Sequence, residues 1–265
     1  MQRREKTFFE NGWCRFETDP AVERWIEAAL PVARKAAHAP EYAEWLRCGG
    51  TWFAGVNALD NDATGAVPGG PPLSGEGVEF IQNVLGLDDF EWDRGQISIC
   101  YPGYPKPMES EPETAFKYRL KRDAAHVDGL HPVGPERRRY LREMHGFLLG
   151  LPLVEADAGA APFVVWEGSH EIMRKMFAEF FGGLEPAEWA DVDATEAYHA
   201  ARRRATDTCR RVEITAAPGE AYLVHRFALH GVAPWANGAQ AGADGRMIAY
   251  FRPAQDDARR WLGDR

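Results

Sequence analysis

Apolar residues in the first part of the chain recur every three to four positions, the spacing of one face of an amphipathic helix. Asp19 and Pro20 resemble a helix start, with an N-cap residue followed by proline in the first turn. The apolar stripe then follows at Val22, Trp25, Ile26, Ala29 and Leu30. We therefore predict a helix that begins at this point and buries that stripe.

Helical spacing returns twice more. A helix is predicted over about 76–86, and residues 171–204 carry one apolar face, made up of Met173, Met176, Phe177, Phe180 and Phe181. We therefore expect an N-terminal helical region over about 1–90 and a helical insertion over about 171–208.

The pattern from Gly95 onward is typical of strands. Residues 96–101 alternate polar and β-branched positions and end at Pro102-Gly103, which predicts a strand followed by a turn. Further strands are predicted over 144–154, 163–166, 212–215, 221–229 and 247–251. The sequence has no internal repeat and no long linker. We therefore expect residues 1–265 to form a single β-rich domain with helices before and within it.

Composition restricts the class of protein. The chain has 265 residues, 45% of them hydrophobic, with nine Trp, which is enough for a packed core. The formal net charge of -9 disfavours binding to a nucleic acid backbone. Four scattered cysteines without C-x-x-C spacing indicate free thiols in a reducing compartment. Neither a signal peptide nor a membrane span is predicted, so we expect a soluble, cytoplasmic protein.

The motif His126-Val127-Asp128 places an imidazole and a carboxylate two residues apart. On a β-strand both side chains share a face and can bind one metal ion. A third imidazole from a distant strand, His230 before Gly231, would complete a two-His-one-carboxylate set. That set leaves coordination positions open and is typical of non-haem Fe(II) oxygenases. The sequence therefore predicts His126, Asp128 and His230 as ligands of a divalent first-row metal.

Other histidines compete for the third position. His225 precedes His230 by an odd number of residues, so an unbroken strand would place the two on opposite faces. We expect His230, at the end of its segment, to be the ligand and His225 to lie in the core or beside the ligands. His131 and His145 are also possible ligands, although His131 is expected to be a surface histidine in a loop.

An arginine follows the distal histidine. A cosubstrate that chelates iron through a keto-acid end needs its far carboxylate held, and the guanidinium fork suits that role. Arg246 and Arg252 share one face of the predicted strand but lie about 20 Å apart, so only one can lie near the metal. We predict Arg246, at the strand end expected beside His230, and expect Arg252 to form a surface ion pair at the far end.

Clues to the substrate are fewer. The candidates for lining a pocket are Gln96, Tyr101, Lys121, Arg122 and Trp166, for which sheet packing or a solvated face is an equal alternative. Gln96 is also a candidate for binding the cosubstrate. The basic cluster of residues 202–204 with Arg210 and Arg211 either attracts an anionic substrate or forms a solvated helix face, which is the more common meaning.

Taken in order, these motifs resemble the phytanoyl-CoA dioxygenase family of Fe(II)/2-oxoglutarate oxygenases. The resemblance covers most of the chain and rests on Phe8-Phe9-Glu10-Asn11-Gly12-Trp13, His126-x-Asp128, Gly168-Ser169-His170, Gly219-Glu220, His230-Gly231 and Arg246. Two features depart from the family pattern. Glu167 replaces a proline before Gly-Ser-His, and the connection from His230 to Arg246 is longer than usual.

The resemblance implies a mainly β fold with flanking helices, a double-stranded β-helix of the cupin-like jelly-roll type. It implies that His126, Asp128 and His230 bind Fe(II) and that Arg246 binds the C5 carboxylate of 2-oxoglutarate. With O2, such an enzyme hydroxylates a C–H bond of a small-molecule substrate and releases succinate and CO2, with ascorbate as an activator in vitro. Asp128 favours hydroxylation over halogenation, because related halogenases have a small residue there. His170 is expected to be structural.

Two other functions remain open. Arg-x5-Arg after His-x-Asp and a distal His is also the pattern of AlkB-type oxidative demethylases, which act on methylated bases. The acidic charge, the helical insertion and the Gly-Ser-His element argue against it. The third possibility is a non-catalytic, metal-binding jelly roll, which would leave the presence of Arg246 unexplained.

Overall fold

The computed structural model of this protein describes residues 2–109 and 111–263. Its helices are α1 (Gln2–Asn11), α2 (Pro20–Ala37), α3 (Glu76–Asn83), α4 (Glu113–Lys121), α5 (Ser169–Phe181), α6 (Thr195–Thr208) and α7 (Ala258–Leu262), with 3-10 turns at Pro40–Trp45 and Pro186–Asp191. The strands are β1 (Trp13–Phe16), β2 (Leu46–Arg47), β3 (Trp52–Phe53), β4 (Gln96–Cys100), β5 (Leu130–Val133), β6 (Arg138–Leu141), β7 (Phe147–Pro152), β8 (Phe163–Glu167), β9 (Arg210–Ile214), β10 (Ala221–His225), β11 (His230–Val232) and β12 (Arg246–Phe251).

The strands form two facing antiparallel sheets and a separate hairpin. The larger sheet has the order β1-β10-β7-β12-β4-β3-β2, the smaller has the order β11-β8-β9, and β5 pairs with β6. A buried layer lies between the two sheets, with Leu148, Tyr222 and Tyr250 from the larger sheet packed against Phe163 and Val165 from the smaller. The predicted mainly β fold with flanking helices is therefore confirmed.

Helices cover the outer faces of both sheets. Alternate side chains of a strand point to opposite faces, so Leu149 and Leu151 of β7 pack with Trp25 of α2 on the outer side of the larger sheet. Val164 and Trp166 of β8 pack in the same way against α5, α6 and α7 on the outer side of the smaller sheet, a cluster that contains Met173, Phe177, Tyr198 and Trp261. The helices therefore lie outside the layer between the two sheets.

Several predicted elements have different limits in the structure. The helix predicted over 171–204 is two helices, α5 and α6, interrupted at Gly182-Gly183 and Pro186. The strand predicted over 221–229 ends at His225, and His230 begins a strand of the other sheet. Helix α4 was not predicted, because it has no fully buried residue and so no strong apolar stripe. No helix within residues 2–109 and 111–263 has the length and apolar character needed to cross a membrane.

Candidate metal centre

The backbones of His126 and His230 pair with each other although they are distant in sequence. The His126 N–H donates to the His230 carbonyl at 2.8 Å, and the His230 N–H donates back at 3.0 Å. This isolated antiparallel bridge places the two rings beside each other, with centroids 4.6 Å apart. The expectation that His126 and Asp128 share a strand is wrong, because Asp128 lies in the turn after the bridge. The turn still brings its carboxylate to the same place.

The three side chains converge. The Nε2 atoms of His126 and His230 each lie 3.5 Å from a carboxylate oxygen of Asp128. Two ligands bound about 2.1 Å from one ion can be at most about 4.2 Å apart, so these separations fit a shared metal. Among the described residues, no other group of three His, Cys, Asp or Glu side chains is placed to hold a metal ion.

Hydrogen bonds set the orientation of both imidazoles. Nδ1 of His126 donates to the Ala124 carbonyl at 3.0 Å, and Nδ1 of His230 donates to the Ala228 carbonyl at 2.9 Å. Each ring therefore presents the lone pair of Nε2, the form in which histidine binds metals. Burial lowers the pKa of His230 to about 4, so this imidazole is neutral near pH 7.

The segment before His126 is held in an unusual conformation. Asp123 and Ala124 both have positive φ, 50° and 54°, which costs about 1–3 kcal/mol for each non-glycine residue. Arg211 stabilises it with two hydrogen bonds to the Asp123 carboxylate, at 2.6 and 3.0 Å. A Cβ at Gly231 would overlap the Asp123 carbonyl oxygen, which explains the glycine after His230. The predicted His-Gly pair is therefore a close backbone contact that brings the two ligand segments together.

The carboxylate of Asp128 is buried and charged. Burial opposes its ionisation, but the charge of Arg252 and the two imidazoles hold the pKa of Asp128 well below its usual value. Nη1 of Arg252 lies 3.4 Å from Asp128 Oδ1, and Nη2 donates to Oε1 of Gln96 at 2.8 Å. Gln96 in turn donates from Nε2 to the Ala54 carbonyl at 2.7 Å. The site thus includes the Arg252 guanidinium, which contacts Asp128 and is held in place by Gln96.

The expectation of a surface ion pair for Arg252 is wrong. Strand β12 ends at Phe251, and the Arg252 N–H donates to Asp93 Oδ1 at 2.8 Å instead of continuing the ladder. The alternation of faces that was used to place Arg252 therefore stops one residue earlier. The side chain is consequently directed toward Asp128 and is largely buried.

Arg246 is buried at the other end of β12. Its Nη2 donates weakly to the Tyr250 hydroxyl at 3.4 Å, while Nη1 is buried without a hydrogen-bond partner in the described chain. The Tyr222 hydroxyl donates to that of Tyr250 at 2.9 Å. Tyr222 reaches this position because Gly150 has no side chain, and a Cβ there would overlap the tyrosine ring. A buried, incompletely bonded guanidinium is costly unless an anion satisfies it.

The Phe163 ring lies between the candidate ligand His230 and Tyr250, which contacts Arg246. Phe163 stacks on His230 with centroids 5.4 Å apart and contacts the Tyr250 ring at 5.8 Å. The cavity that Arg246 lines with Tyr222 has a volume of about 30 Å³, room for about one water molecule. A larger anion would therefore displace neighbouring side chains.

Three other predicted histidines lie away from the ligand atoms. His225 is buried at the end of β10, where Nδ1 accepts from the Phe227 N–H at 3.1 Å, in agreement with a core position. His131 lies on β5, not in the expected loop, with Nε2 3.3 Å from Glu143. His145 Nε2 donates to the same carboxylate at 3.0 Å, which lowers the pKa of Glu143 to about 2. Glu143 thus contacts Nε2 of both His131 and His145, away from the candidate metal ligands.

The N-terminal motif of residues 8–13 contacts the Gly168-Ser169-His170 motif. His170 donates from Nε2 to the Phe9 carbonyl at 3.0 Å, and the Gly168 N–H donates to the Asn11 carbonyl at 3.0 Å. Glu167, which departs from the family pattern, accepts from Trp13 Nε1 at 2.9 Å. Ser169 Oγ accepts from the Leu229 N–H at 2.8 Å, directly before His230. His170 therefore has a structural position, as expected.

A cavity of about 590 Å³ adjoins His126. Of the residues predicted to line a pocket, Arg122 does so, whereas Trp166 is buried in the helical cluster and Lys121 is exposed on α4. Arg202 of the basic cluster also lines it, but Arg210 and Arg211 form ion pairs with Glu167 and Asp123. Arg137 and Arg139 were missed. The basic run at 137–139 was the available signal.

Comparison with known proteins supports the fold. The sequence matches no protein-family model and no curated protein. The structure resembles AviO1 from Streptomyces viridochromogenes Tue57, with a TM-score of 0.52 and 14% identity, covering 97% of this chain and 95% of that chain. It also resembles SnoK, described as a non-haem alpha-ketoglutarate-dependent carbocyclase from nogalamycin biosynthesis, with a TM-score of 0.53 and 13% identity, covering 96% of this chain and 84% of that chain. At these identities the likeness shows the fold, which is the jelly roll that the sequence resemblance implied.

Proposed function

We propose that this protein is an Fe(II)- and 2-oxoglutarate-dependent oxygenase that hydroxylates a C–H bond of a small molecule. The observation that carries this proposal is the convergence of His126, Asp128 and His230, with both Nε2 atoms directed at the carboxylate. Two imidazoles and one carboxylate are the donor set of non-haem Fe(II) oxygenases. The fold shared with an alpha-ketoglutarate-dependent enzyme supports the same function.

The residues present fit the implied metal and cosubstrate. When bound, iron supplies activation of O2 coupled to decarboxylation of 2-oxoglutarate to succinate and CO2, with ascorbate keeping the metal ferrous in vitro. His126 and His230 bind through Nε2, and Asp128 contributes one negative charge. The unpartnered Nη1 of buried Arg246 suits the far carboxylate of the cosubstrate, because arginine binds carboxylates bidentately, and the side chains around its small cavity would move to admit it.

The two polar residues beside Asp128 have a supporting role in this proposal. Arg252 positions the carboxylate, and Gln96 orients Arg252 through its hydrogen bond. Both polar ends of Gln96 are already occupied, so in this proposal it supports Asp128 through Arg252 and does not bind the cosubstrate itself. Hydroxylation is preferred to halogenation because Asp128 fills the ligand position.

The proposal includes a reducing, cytoplasmic location. All four cysteines are free: Cys14, Cys48 and Cys100 are buried and Cys209 is partly exposed. Free thiols are common where glutathione keeps them reduced.

An anaerobic titration tests the function. Ferrous iron and 2-oxoglutarate are added to the purified protein, and we expect the weak visible charge-transfer band of an iron-bound keto acid. The band should be lost in Asp128→Ala and retained in His131→Ala, which removes an exposed imidazole that Glu143 contacts. Wild-type protein without the band would contradict the proposal.

Succinate formation separates an enzyme from a binding protein. On admitting O2 to the loaded protein, we expect slow release of succinate that a metabolite screen can accelerate. Protein that forms the band but never consumes 2-oxoglutarate would be the non-catalytic jelly roll instead.

A further inference from the structure

The cavity of about 590 Å³ beside His126 is unusually rich in arginine. Helix α4 contributes Arg119, with Arg122 just after it, the β5–β6 hairpin contributes Arg137 and Arg139, and α6 contributes Arg202. His126 is the ligand residue that also lines this cavity, so the cavity opens on the candidate metal centre. A volume of this size is within the range of small-molecule sites.

Two of the five guanidinium groups already have partners. Arg119 donates to both oxygens of Glu111, at 2.9 and 2.7 Å. Arg122 donates to Thr206 Oγ1 at 2.9 Å, with Asp207 at 4.0 Å. Arg119 and Arg122 therefore form part of the cavity wall through these bonds, and neither needs a ligand as a partner.

The other three guanidinium groups have no carboxylate partner among the described residues. Within residues 2–109 and 111–263, no carboxylate forms an ion pair with Arg137, Arg139 or Arg202. Glu109 and Glu111 are the acidic residues of the wall, and Glu111 is occupied by Arg119. The cavity therefore has an excess of positive charge although the whole chain carries -9. A cleft lined with charge of one sign attracts a ligand of the other sign, so this cavity favours an anion.

Arg139 is the strongest single indication that the cavity binds an anion. Its Nη1 donates to the Leu130 carbonyl at 3.3 Å, but Nε is buried without a hydrogen-bond partner among the described residues. Burial lowers the pKa of Arg139, Tyr198 partly opposes this, and the charges of Arg137 and Arg202 lower the pKa further. A half-buried cation next to two like charges is unfavourable unless an anion compensates it.

The Arg202 guanidinium lies over two aromatic rings. The Arg202 guanidinium lies 5.4 Å from the Tyr198 centroid and 5.9 Å from that of Tyr118. Tyr118 is half exposed in the cavity wall beside Ala115 and Pro112. The wall thus offers an apolar surface next to the cations, which suits a ligand with an organic body and one anionic group.

We propose, on the basis of the function proposed above, that the substrate is a small organic anion whose carboxylate or phosphate binds Arg139 and Arg202. The rest of the molecule lies in the same cavity along Tyr118 and toward His126. Arg139 and Arg202 are binding residues in this assignment, and Arg137 at the exposed rim contributes attraction at longer range.

Calorimetry on the anaerobic protein loaded with Fe(II) and 2-oxoglutarate tests the assignment. The probes are phenyl phosphate and benzoate, with the neutral benzamide as a comparison. The variants are Arg202→Gln, Arg139→Gln and the control Arg203→Gln, which removes an exposed arginine of the same helix that does not line the cavity. The charge-transfer band is recorded on each variant, and only variants that form it are compared.

We expect at least one anion to bind the wild type and benzamide not to bind. Arg202→Gln or Arg139→Gln should weaken anion binding about tenfold to a hundredfold, as expected for a lost charged hydrogen bond, and Arg203→Gln should not. Preference for phenyl phosphate or for benzoate identifies the anionic group. Equal binding of benzamide, or equal losses in all three variants, would overturn the assignment.

Two further results separate this assignment from its alternatives. Tighter binding of a single-stranded oligothymidylate than of phenyl phosphate would overturn a small-molecule substrate in favour of nucleic acid. If the charge-transfer band never forms in the wild type, the proposed function fails. Anion binding measured on the metal-free protein would then test the cavity by itself.

Discussion

The Arg252 guanidinium contacts the carboxylate of Asp128, with Nη1 3.4 Å from Oδ1. The same guanidinium is held by Gln96, which is hydrogen-bonded to the Ala54 backbone. A candidate metal ligand is therefore connected through two side chains to the larger sheet. Such outer contacts set the orientation of metal-binding carboxylates and histidines.

Removing this contact should weaken metal binding. In Arg252→Met we expect the affinity for Fe(II) to fall about tenfold to a hundredfold, the usual effect of losing a group that orients a ligand. The measurement is an anaerobic Fe(II) titration without 2-oxoglutarate. Arg94→Met is the matched control, because Arg94 pairs with exposed Asp60 outside the site. Unchanged iron affinity in Arg252→Met would show that Asp128 needs no such support.

Arg246 should act on the cosubstrate instead. In Arg246→Lys the charge remains but the bidentate fork is lost, so we expect the Kd for 2-oxoglutarate to rise about tenfold to a hundredfold. Iron affinity in the absence of 2-oxoglutarate should stay within about threefold of the wild type, because Arg246 is bonded to Tyr250 and not to a ligand residue.

The same titration on Arg252→Met distinguishes the two arginines. A larger loss of 2-oxoglutarate affinity in Arg252→Met than in Arg246→Lys would reverse the assignment of the carboxylate-binding residue.

A side chain at Gly12 is expected to destabilise the fold. Its φ of +81° favours glycine, and a Cβ would overlap Nδ1 of buried His170. Gly69 has a similar φ of +77° with nothing nearby, so it isolates the cost of the backbone conformation. We expect Gly69→Ala to lower the free energy of unfolding by about 1 kcal/mol and Gly12→Ala by about 2–4 kcal/mol. Urea denaturation measures both, and equal losses would show that the His170 contact is unimportant.

Acid should destabilise the fold partly through His225. Burial holds the pKa of His225 well below 6.5, and the positive charge of Arg226 adds to this effect. The unfolded imidazole takes up a proton below about pH 6.5 while the folded one does not, so stability is present above that pH and is lost as the pH falls. Between pH 7 and 5.5 this histidine should cost about 1 kcal/mol.

His225→Asn isolates that contribution, since the amide oxygen can still accept from the Phe227 N–H. Melts in EDTA at both pH values should show a pH-dependent loss smaller by about 1 kcal/mol than in the wild type. The exposed His38→Asn should keep the full wild-type loss. An unaltered pH dependence in His225→Asn would place the acid sensitivity elsewhere.

Much of the secondary structure and the three candidate ligands could be predicted from local pattern. Asp19 caps α2 as expected, with its side chain accepting from the Ala21 N–H at 2.8 Å. His126, Asp128 and His230 were predicted from residue type and order, and the structure places them together. Periodicity and side-chain chemistry are properties of short segments, so they can be read without the fold.

Other features depend on where the chain bends. Arg252 was misplaced because the alternation of β12 was continued past Phe251, and His225 was separated from His230 by a change of sheet rather than by opposite faces of one strand. Helix α4 has no buried apolar stripe, so the sequence pattern did not predict this helix or the part of the cavity wall that it forms.

The sequence by itself determined the β-rich class, the flanking helices and the residue types of a candidate metal site, because periodicity and ligand chemistry are local. Only the tertiary structure decided which arginine lies beside Asp128, and that Arg139 and Arg202 face one cavity with His126. Those relationships join segments that are distant along the chain. They depend on how the hairpin, α4 and α6 come together around one cavity, which no single segment specifies.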